Sequence, residues 1–285
     1  MGNPGAIDLH THSSVSDGTE TPAELIAAAV AAGLGTVAIT DHDSTAGWQE
    51  AFDAAAGTGL TVIPGMELST NYGPASVHML AYLFDPANPA IIAETAKIRD
   101  GRMNRAERIV ERISKDYGIT WAGVLAQSVD GGTIGRPHIA DALVAHGDVS
   151  DRSAAFETIL HWRSGYYEKY YAPSPLAGVR MVVAAGGVPV LAHPVTHGRY
   201  RVIEDDAIGE LVDAGLFGLE IHHRDNTEDG KVRLCELAEK FGLQVTGSSD
   251  YHGEGKPNRL AENTTSPEVL EKLIAAGTGS KPFRG

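Results

Sequence analysis

Short apolar runs alternate with helical patterns over most of the 285 residues. "AIDLH" reads as a strand. "TPAELIAAAVAAGL" follows as a helix, with Thr21 as N-cap, Pro22 at the first helical position and Gly33 near the C-terminus. "TVAIT" predicts the next strand, and a helix is expected near Ala46–Ala56. "LTVIPGMEL" and "VHMLAYLF" predict two further strands. After a long middle segment, "VPVLAH", "FGLEIHH" and "LQVTGSSD" restore the pattern, with helices between them. Such alternation predicts an α/β fold of parallel strands joined by helical crossovers, as a barrel or a doubly wound sheet. Residues 86–173 interrupt the rhythm. They look helical throughout, beginning with an arginine-studded helix near Ile91–Tyr117, and predict a helical subdomain inserted between 1–85 and 174–285.

The polar residues fall at particular places in this pattern. His10 and His12 end the first strand, and Asp17 lies just beyond. Asp41, His42 and Asp43 end the second; Glu67 follows the third; His78 lies in the next. His193 ends "VLAH", Glu220 and His222 lie in "LEIHH", and Asp250 and His252 lie in "SSDYH". In parallel α/β folds the C-terminal strand ends converge on one face, which carries the active site. His10 and His12 have period two, so on an extended strand both imidazoles point to one side. A donor set of Asp, Glu and His without a partner cysteine suits zinc, manganese or iron. One metal takes roughly four to six ligands, so this many candidates fit a cluster of two or three divalent ions. Surface charge explains an isolated pair of such residues. It does not explain several clusters at successive strand ends, because buried charges are costly unless paired or bound to metal.

Composition narrows the function classes. No run approaches the length of an apolar membrane span, and "MGNPGAIDLH" lacks the pattern of a signal peptide. Cys235 is the single cysteine, so no internal disulfide can form, and a cytoplasmic location is expected. The net charge of −14 opposes affinity for long nucleic acid or anionic membrane. Between Lys97 and Arg180, however, 12 Lys and Arg stand against 10 Asp and Glu. A near-neutral insertion beside an acidic metal-binding body is suited to anion binding. The regular spacing of Arg99, Arg102, Arg105, Arg108 and Arg112 reads as a solvated face or salt-bridge stripe on one side of the long helix.

The motifs "DLHTHSSVSDG", "ITDHD", "GMELS", "VLAHP" and "SDYHG", in this order, resemble the PHP (polymerase and histidinol phosphatase) superfamily of metal-dependent phosphoesterases. The likeness runs from Ile7 to about Gly253, and is closest to small stand-alone bacterial members that act on nucleotide or ribosyl phosphates. It implies a distorted (β/α)7 barrel with a trinuclear metal site and the helical middle as a variable insertion; the near-neutral charge of that insertion leads to the expectation that it caps the metal face. The likeness further implies that His10, His12, Glu67 and Asp250 hold one metal. Glu67 would bridge to a second held by His78 and His193, and Asp17, His42 and His252 would hold a third. Some relatives have a histidine where this chain has Asp17, which leaves Mn, Fe and Zn open. Asp41 and Asp43 would orient ligands, or Asp43 would face the substrate. Glu220 and His222 lie outside the superfamily pattern.

The chain has neither G-x-S-x-G nor a P-loop, so direct attack by metal-activated hydroxide is expected rather than a covalent intermediate. Asp250, His252 and Asp43 are the candidates for catalytic proton transfer or substrate contact. Substrate selectivity would come from Arg136 and His138 in "IGRPHIA", from Lys169 among the tyrosines of "YYEKYY", and from Arg199 and Arg201 beyond His193. The expected activity is hydrolysis of a small phosphate ester, such as a nucleoside 3′,5′-bisphosphate or a cyclic ribosyl phosphate. Histidinol-phosphate phosphatase, exonuclease action on the 5′ end of short RNA, and a non-catalytic metal-binding module are the alternatives.

Overall fold

The structure, a computed structural model, describes residues 5–129, 132–196 and 203–285. Seven strands lie side by side in chain order: β1 (Ala6–Asp8), β2 (Leu34–Ile39), β3 (Thr61–Tyr72), β4 (Ala75–Tyr82), β5 (Val188–Leu191), β6 (Gly218–His222) and β7 (Gln244–Gly247). A short β8 (Phe283–Arg284) pairs with β3. Most neighbours are parallel, as the alternation predicts. β4 is the exception and runs antiparallel to both β3 and β5. The reason is local: only Gly73 and Pro74 separate β3 from β4, and a parallel return needs a crossover of a dozen or more residues. The two ends of the strand series are tied by a parallel bridge between Thr11 and Tyr251. Asp8 reinforces this tie, accepting from the Ser249 and Ala261 amides at 3.0 Å each. Burial pushes the Asp8 carboxyl up to about 6, against the opposing effect of these hydrogen bonds.

Side chains alternate between two apolar layers. Val37, Ile39 and Val62 face the surrounding helices, whereas Ile7, Leu9, Ala38, Ile63 and Val190 form an inner set that Leu273 also joins. The helices begin and end by the rules of capping. In α1 (Pro22–Ala31) the Thr21 hydroxyl accepts from the Glu24 amide and the Glu24 carboxylate accepts from the Thr21 amide. After α2 (Trp48–Ala55), the middle segment builds α3 (Pro89–Ile113), α4 (Trp121–Leu125), α5 (Arg136–His146) and α6 (Arg152–Glu157). Residues 158–173 are turns and extended chain rather than helix. The sheet regains its rhythm with α7 (Pro175–Ala184), α8 (Asp205–Asp213), α9 (Glu228–Phe241) and α10 (Pro267–Ala276).

The long helix α3 belongs to two cores. Ile91 and Ile98 in its first half pack with the sheet and its helices. Ile109, Val110 and Ile113 in its second half pack with Ile139, Leu143 and Leu160 in a separate cluster. Ile139 is fully buried there. Ile139→Ala is expected to cost about 2–5 kcal/mol, read as a lowered midpoint in urea unfolding. Retention of the wild-type midpoint would show that this cluster contributes little to stability.

Candidate metal centre and its cavity

The C-terminal ends of β1, β2, β5, β6 and β7 deliver imidazoles and carboxylates to one buried cluster, and the interior of the β3–β4 hairpin completes it. Glu67 lies at the middle of that cluster. Its Oε2 is 3.3 Å from His10 Nε2, 3.1 Å from His12 Nε2 and 3.2 Å from His42 Nδ1. Its Oε1 is 2.8 Å from His78 Nδ1 and 3.1 Å from His193 Nε2. The two oxygens of one carboxylate thus face different sets of imidazoles. Glu67 lies within β3 rather than after it: the strand runs on to Tyr72, and the pairing of Ser69 with His78 sets His78 close by.

Asp250 divides its oxygens in a similar way. Oδ1 lies 3.4 Å from His10 and 3.3 Å from His12, while Oδ2 lies 2.7 Å from Lys256 Nζ and 3.6 Å from His223 Nε2. Asp17 Oδ1 is 3.3 Å from His252 Nε2, and its Oδ2 is 3.7 Å from His42 Nε2. Glu220, buried, orients two neighbours. Its Oε1 is 3.0 Å from His10 Nδ1 and its Oε2 accepts from the His193 amide at 2.9 Å. Three of the residues in this region, Asp43, His193 and Asp250, hold positive φ values of 52°, 26° and 54°. Such backbone is costly for non-glycine residues and concentrates at functional sites.

The donor set fits divalent cations. The Nε2 atoms of His10 and His12 converge to 3.0 Å. Asp17 Oδ1, His42 Nδ1, Asp250 Oδ1, His252 Nε2 and His223 Nε2 are buried without a hydrogen-bond partner. Buried polar atoms ordinarily have one, so their convergence is a site for ions. The groups His10–His12–Glu67–Asp250, His42–Glu67–His78 and His12–Asp17–His252 each bring their donor atoms within 4.8 Å of one another, as do His10–His193–Glu220 and His223–Asp225–Asp250.

Within the cluster the charges compensate one another. Burial pushes the Glu67 carboxyl up, but His42, His78 and His10 overcome it and hold it well below the usual range. The same contest, with His10 as the main opponent of burial, carries Glu220 down to about 2. Burial lowers His12, yet the close carboxylates of Asp250 and Glu67 prevail and raise it to about 9. His252 falls to about 4 through burial and the nearby Lys256 charge.

The other expected residues fall in distinct places. Asp41 accepts from the Ser13 amide and from the Ser13 and Ser16 hydroxyls, and Ser16 in turn lies 3.3 Å from His12 Nδ1. Asp41 therefore acts on His12 through a serine. Asp43 is outside the cluster. Its carboxylate accepts from the Ser69 amide and hydroxyl at 2.7 Å each, and from Arg102 at 3.3 Å. His138 is turned into the cap, where its Nδ1 accepts from the Gly135 amide at 3.1 Å. His222 is exposed and its neighbour His223 is buried instead, because the β6–β7 register shifts between Glu220 and His222. Arg199 and Arg201 lie outside the described residues.

A cavity of about 1030 Å³ opens over the cluster, with Asp17, His42, His78 and His252 on one side and residues of the middle segment, including Arg136 and Lys169, on the other. Here the arginine stripe departs from expectation. Arg102 and Arg105 line the cavity and are only 5% exposed. They tolerate burial because Arg102 has Asp43 and Ser69 as partners, and Arg105 lies 4.2 Å over the ring of Tyr170. Only Arg108 and Arg112 form the exposed salt-bridge face, both with Glu168. Lys256 and His223 escaped the sequence reading too. The doubled histidine of "IHHR" was a signal for one of them. Lys256 sits in a loop without periodicity and had none.

A buried cluster of histidines and carboxylates under an arginine-lined cavity defines a metal-dependent site for anionic substrates. The family model for the PHP domain matches residues 8–96. The chain is 34% identical over 261 residues to a 3′,5′-nucleoside bisphosphate phosphatase of Chromobacterium violaceum, covering 90% of this chain and 91% of that protein. It is 33% identical over 246 residues to a 5′-3′ exoribonuclease of Haemophilus influenzae, covering 86% and 89%. A crystal structure described as a metal-dependent phosphoesterase from Bifidobacterium adolescentis superposes with a TM-score of 0.93 at 44% identity, over 95% of this chain and 96% of that one. The chain belongs to the PHP family and is a metal-dependent phosphoesterase. No helix among the described residues is long and apolar enough to cross a membrane.

Metal ligation requires a neutral imidazole, whereas the carboxylates around His12 raise its pKa to about 9. Metal uptake near neutral pH is therefore expected to release protons, and affinity for Mn or Zn should rise with pH until about pH 9. Calorimetric titration in buffers of different ionisation enthalpy measures this directly. Uptake without proton release would mean that His12 does not ligate.

Proposed function

We propose that this enzyme is a phosphomonoesterase for small substrates that carry two phosphate groups, of the nucleoside 3′,5′-bisphosphate type, working at a trinuclear site of Mn, Fe or Zn. The observation that carries the reading is Arg105. Its guanidinium is buried in the cavity wall, its Nε has no partner, and no carboxylate pairs with it among the described residues. Burial lowers its pKa to about 9, so its charge is destabilised yet kept at neutral pH. A buried cation without an anion is unfavourable. A second phosphate, away from the one being hydrolysed, would supply that anion. The name of the Chromobacterium violaceum relative fits this substrate class.

Glu67 would bridge two metals, the first completed by His10, His12 and Asp250 and the second by His78 and His193. Asp17, His42 and His252 would hold the third. When bound, such ions polarise phosphoryl oxygens and acidify water. The chain's own residues do the rest. Lys256 fixes Asp250 through Oδ2 and leaves Oδ1 for the cluster. Asp43 and Ser69 hold Arg102 at the cavity wall, ready to bind a non-bridging oxygen of the phosphoryl group. Asp43 is thus a positioning residue, and Asp250 and His252 serve as ligands rather than as free acids or bases. Residues 86–173 act as the cap that closes over the substrate, with Arg136 and Lys169 reaching the sugar or the second phosphate.

Two variants test this reading. Glu67→Gln should abolish measurable turnover and lower the metal content found by elemental analysis; wild-type load and rate would remove Glu67 from the centre. Arg105→Met keeps the apolar stem on Tyr170 and deletes the charge. Loss of one charge-assisted contact of roughly 1.5–3 kcal/mol predicts a rise in KM of about 10- to 150-fold for a nucleoside bisphosphate, with little change for methyl phosphate. Equal loss on both substrates would make Arg105 structural, and no loss on either would refute the second-phosphate site. Release of mononucleotides from the 5′ end of a short RNA, with no action on bisphosphates, would favour the exonuclease alternative.

A further inference from the structure

The aromatic residues around the cavity are mostly tied to cations or carboxylates from other parts of the chain. Tyr170 lies under Arg105, and Phe156 and Tyr167 bracket Arg136 at 5.2 and 5.7 Å. The Tyr166 hydroxyl donates to Asp116 and that of Tyr171 to Glu94. Trp162 differs. It lines the same cavity yet is 60% exposed. Arg163 lies 4.3 Å from its ring centroid, and His161 is tilted at 5.7 Å. The turn that carries it is ordered locally, with His161 Nδ1 accepting from the Arg163 amide and the His161 carbonyl from the Ser164 amide. A large indole is thus presented to the cavity mouth from a fixed turn. By contrast, Trp48 is buried against Phe84, and Trp121 packs on the core of the cap.

The cavity is also larger than a sugar with two phosphates requires. At about 1030 Å³ it lies at the upper end of the roughly 300–1,000 Å³ typical of sites that enclose a drug-sized ligand. The cations of its wall account for anionic groups, and nothing among them calls for an exposed indole. A flat π-face at the rim suits a flat π-partner, and base–aromatic stacking is tolerant of which base is stacked.

We infer that Trp162 is the stacking platform for a nucleobase, so that the substrate is a nucleotide rather than a bare sugar phosphate, with little preference among bases. The inference rests on the bisphosphate reading and adds to it the group that recognises the remainder of the molecule. Arg163, set over the ring, would hold the indole in place and leave its other face to the base.

The test uses the metal-loaded full-length protein and two probes, adenosine 3′,5′-bisphosphate and methyl riboside 3,5-bisphosphate, in which a methyl group replaces the base. Phosphate release by the wild type on the methyl riboside checks the bisphosphate reading alone. Trp162→Ala should raise KM for the adenosine compound by about 10- to 100-fold and leave the methyl riboside unchanged. Trp162→Phe should restore most of the loss. Adenosine 3′,5′-bisphosphate should quench tryptophan emission in the wild type but not in Trp162→Phe, and the methyl riboside should quench neither. Equal loss on both probes, or none on either, would overturn the inference. If the wild type hydrolysed neither probe, the bisphosphate reading would fall. In that event quenching by adenosine 5′-monophosphate, lost in Trp162→Phe, would still support a nucleobase platform, and its absence would reject it.

Discussion

The central constraint is the burial of Glu67 with Asp17, Glu220 and Asp250 beside a ring of imidazoles. Withdrawing each carboxylate from water costs several kcal/mol after relaxation, and no apolar packing recovers that. Within the cluster the neighbouring charges offset the cost: the carboxylates raise His12 to about 9, while the surrounding cations and imidazoles hold Glu67 and Asp250 well below the usual carboxylate range. That arrangement leaves several buried nitrogens and oxygens without partners. Divalent ions bound there would replace the protons with larger fixed charges and complete those atoms. Under the proposed assignment the same residues would form the ligand shell.

The fold serves this constraint in two ways. Parallel strands bring separate segments of chain to one end, each contributing a short polar sequence just past its last ladder pair. The β3–β4 hairpin breaks the parallel rule and thereby reaches further. β3 continues to Tyr72, so Glu67 enters the cluster from within a strand and is held on both sides by backbone. A carboxylate whose two oxygens face different imidazoles benefits from that rigidity, because a small displacement would favour one set over the other. Positive φ at His193 and Asp250 turns the loop residues inward where the strands end.

Much of this was legible in the sequence. Strand-end position and period-two spacing pointed to His10, His12, His42, His193 and Asp250, which the structure gathers in one cluster, because local periodicity maps onto direction. The long helix, and the Thr21 cap of α1, followed from the same local rules. The antiparallel β4 was concealed by its apolar character, which is the same in either direction. His223 replaced His222 because a register shift between two strands is invisible in either strand alone. Arg102 and Arg105 were read as solvated because helical spacing shows which residues share a side, but not what covers that side. Their partners, Asp43 and Tyr170, lie 59 and 65 positions away in the chain.

The two halves of α3 explain how chemistry and selectivity are joined. Its first half packs on the sheet and its second on the separate core of the cap, and Arg102 and Arg105 fall near the junction. Arg102 reaches back to Asp43, which also receives Ser69 of β3, two residues from Glu67. Arg105 faces the cap through Tyr170. One rigid helix therefore carries neighbouring guanidiniums with opposite allegiances, one fixed to the metal-bearing strand and one to the wall of the cap. Helical geometry sets their separation at one turn. A substrate with anions at both positions, as proposed above, would be measured against that fixed spacing, and a shift of the middle segment relative to the sheet would have to bend α3 to change it. On that reading, selectivity would be coupled to the position of the His/Asp/Glu cluster by covalent helix rather than by a flexible loop.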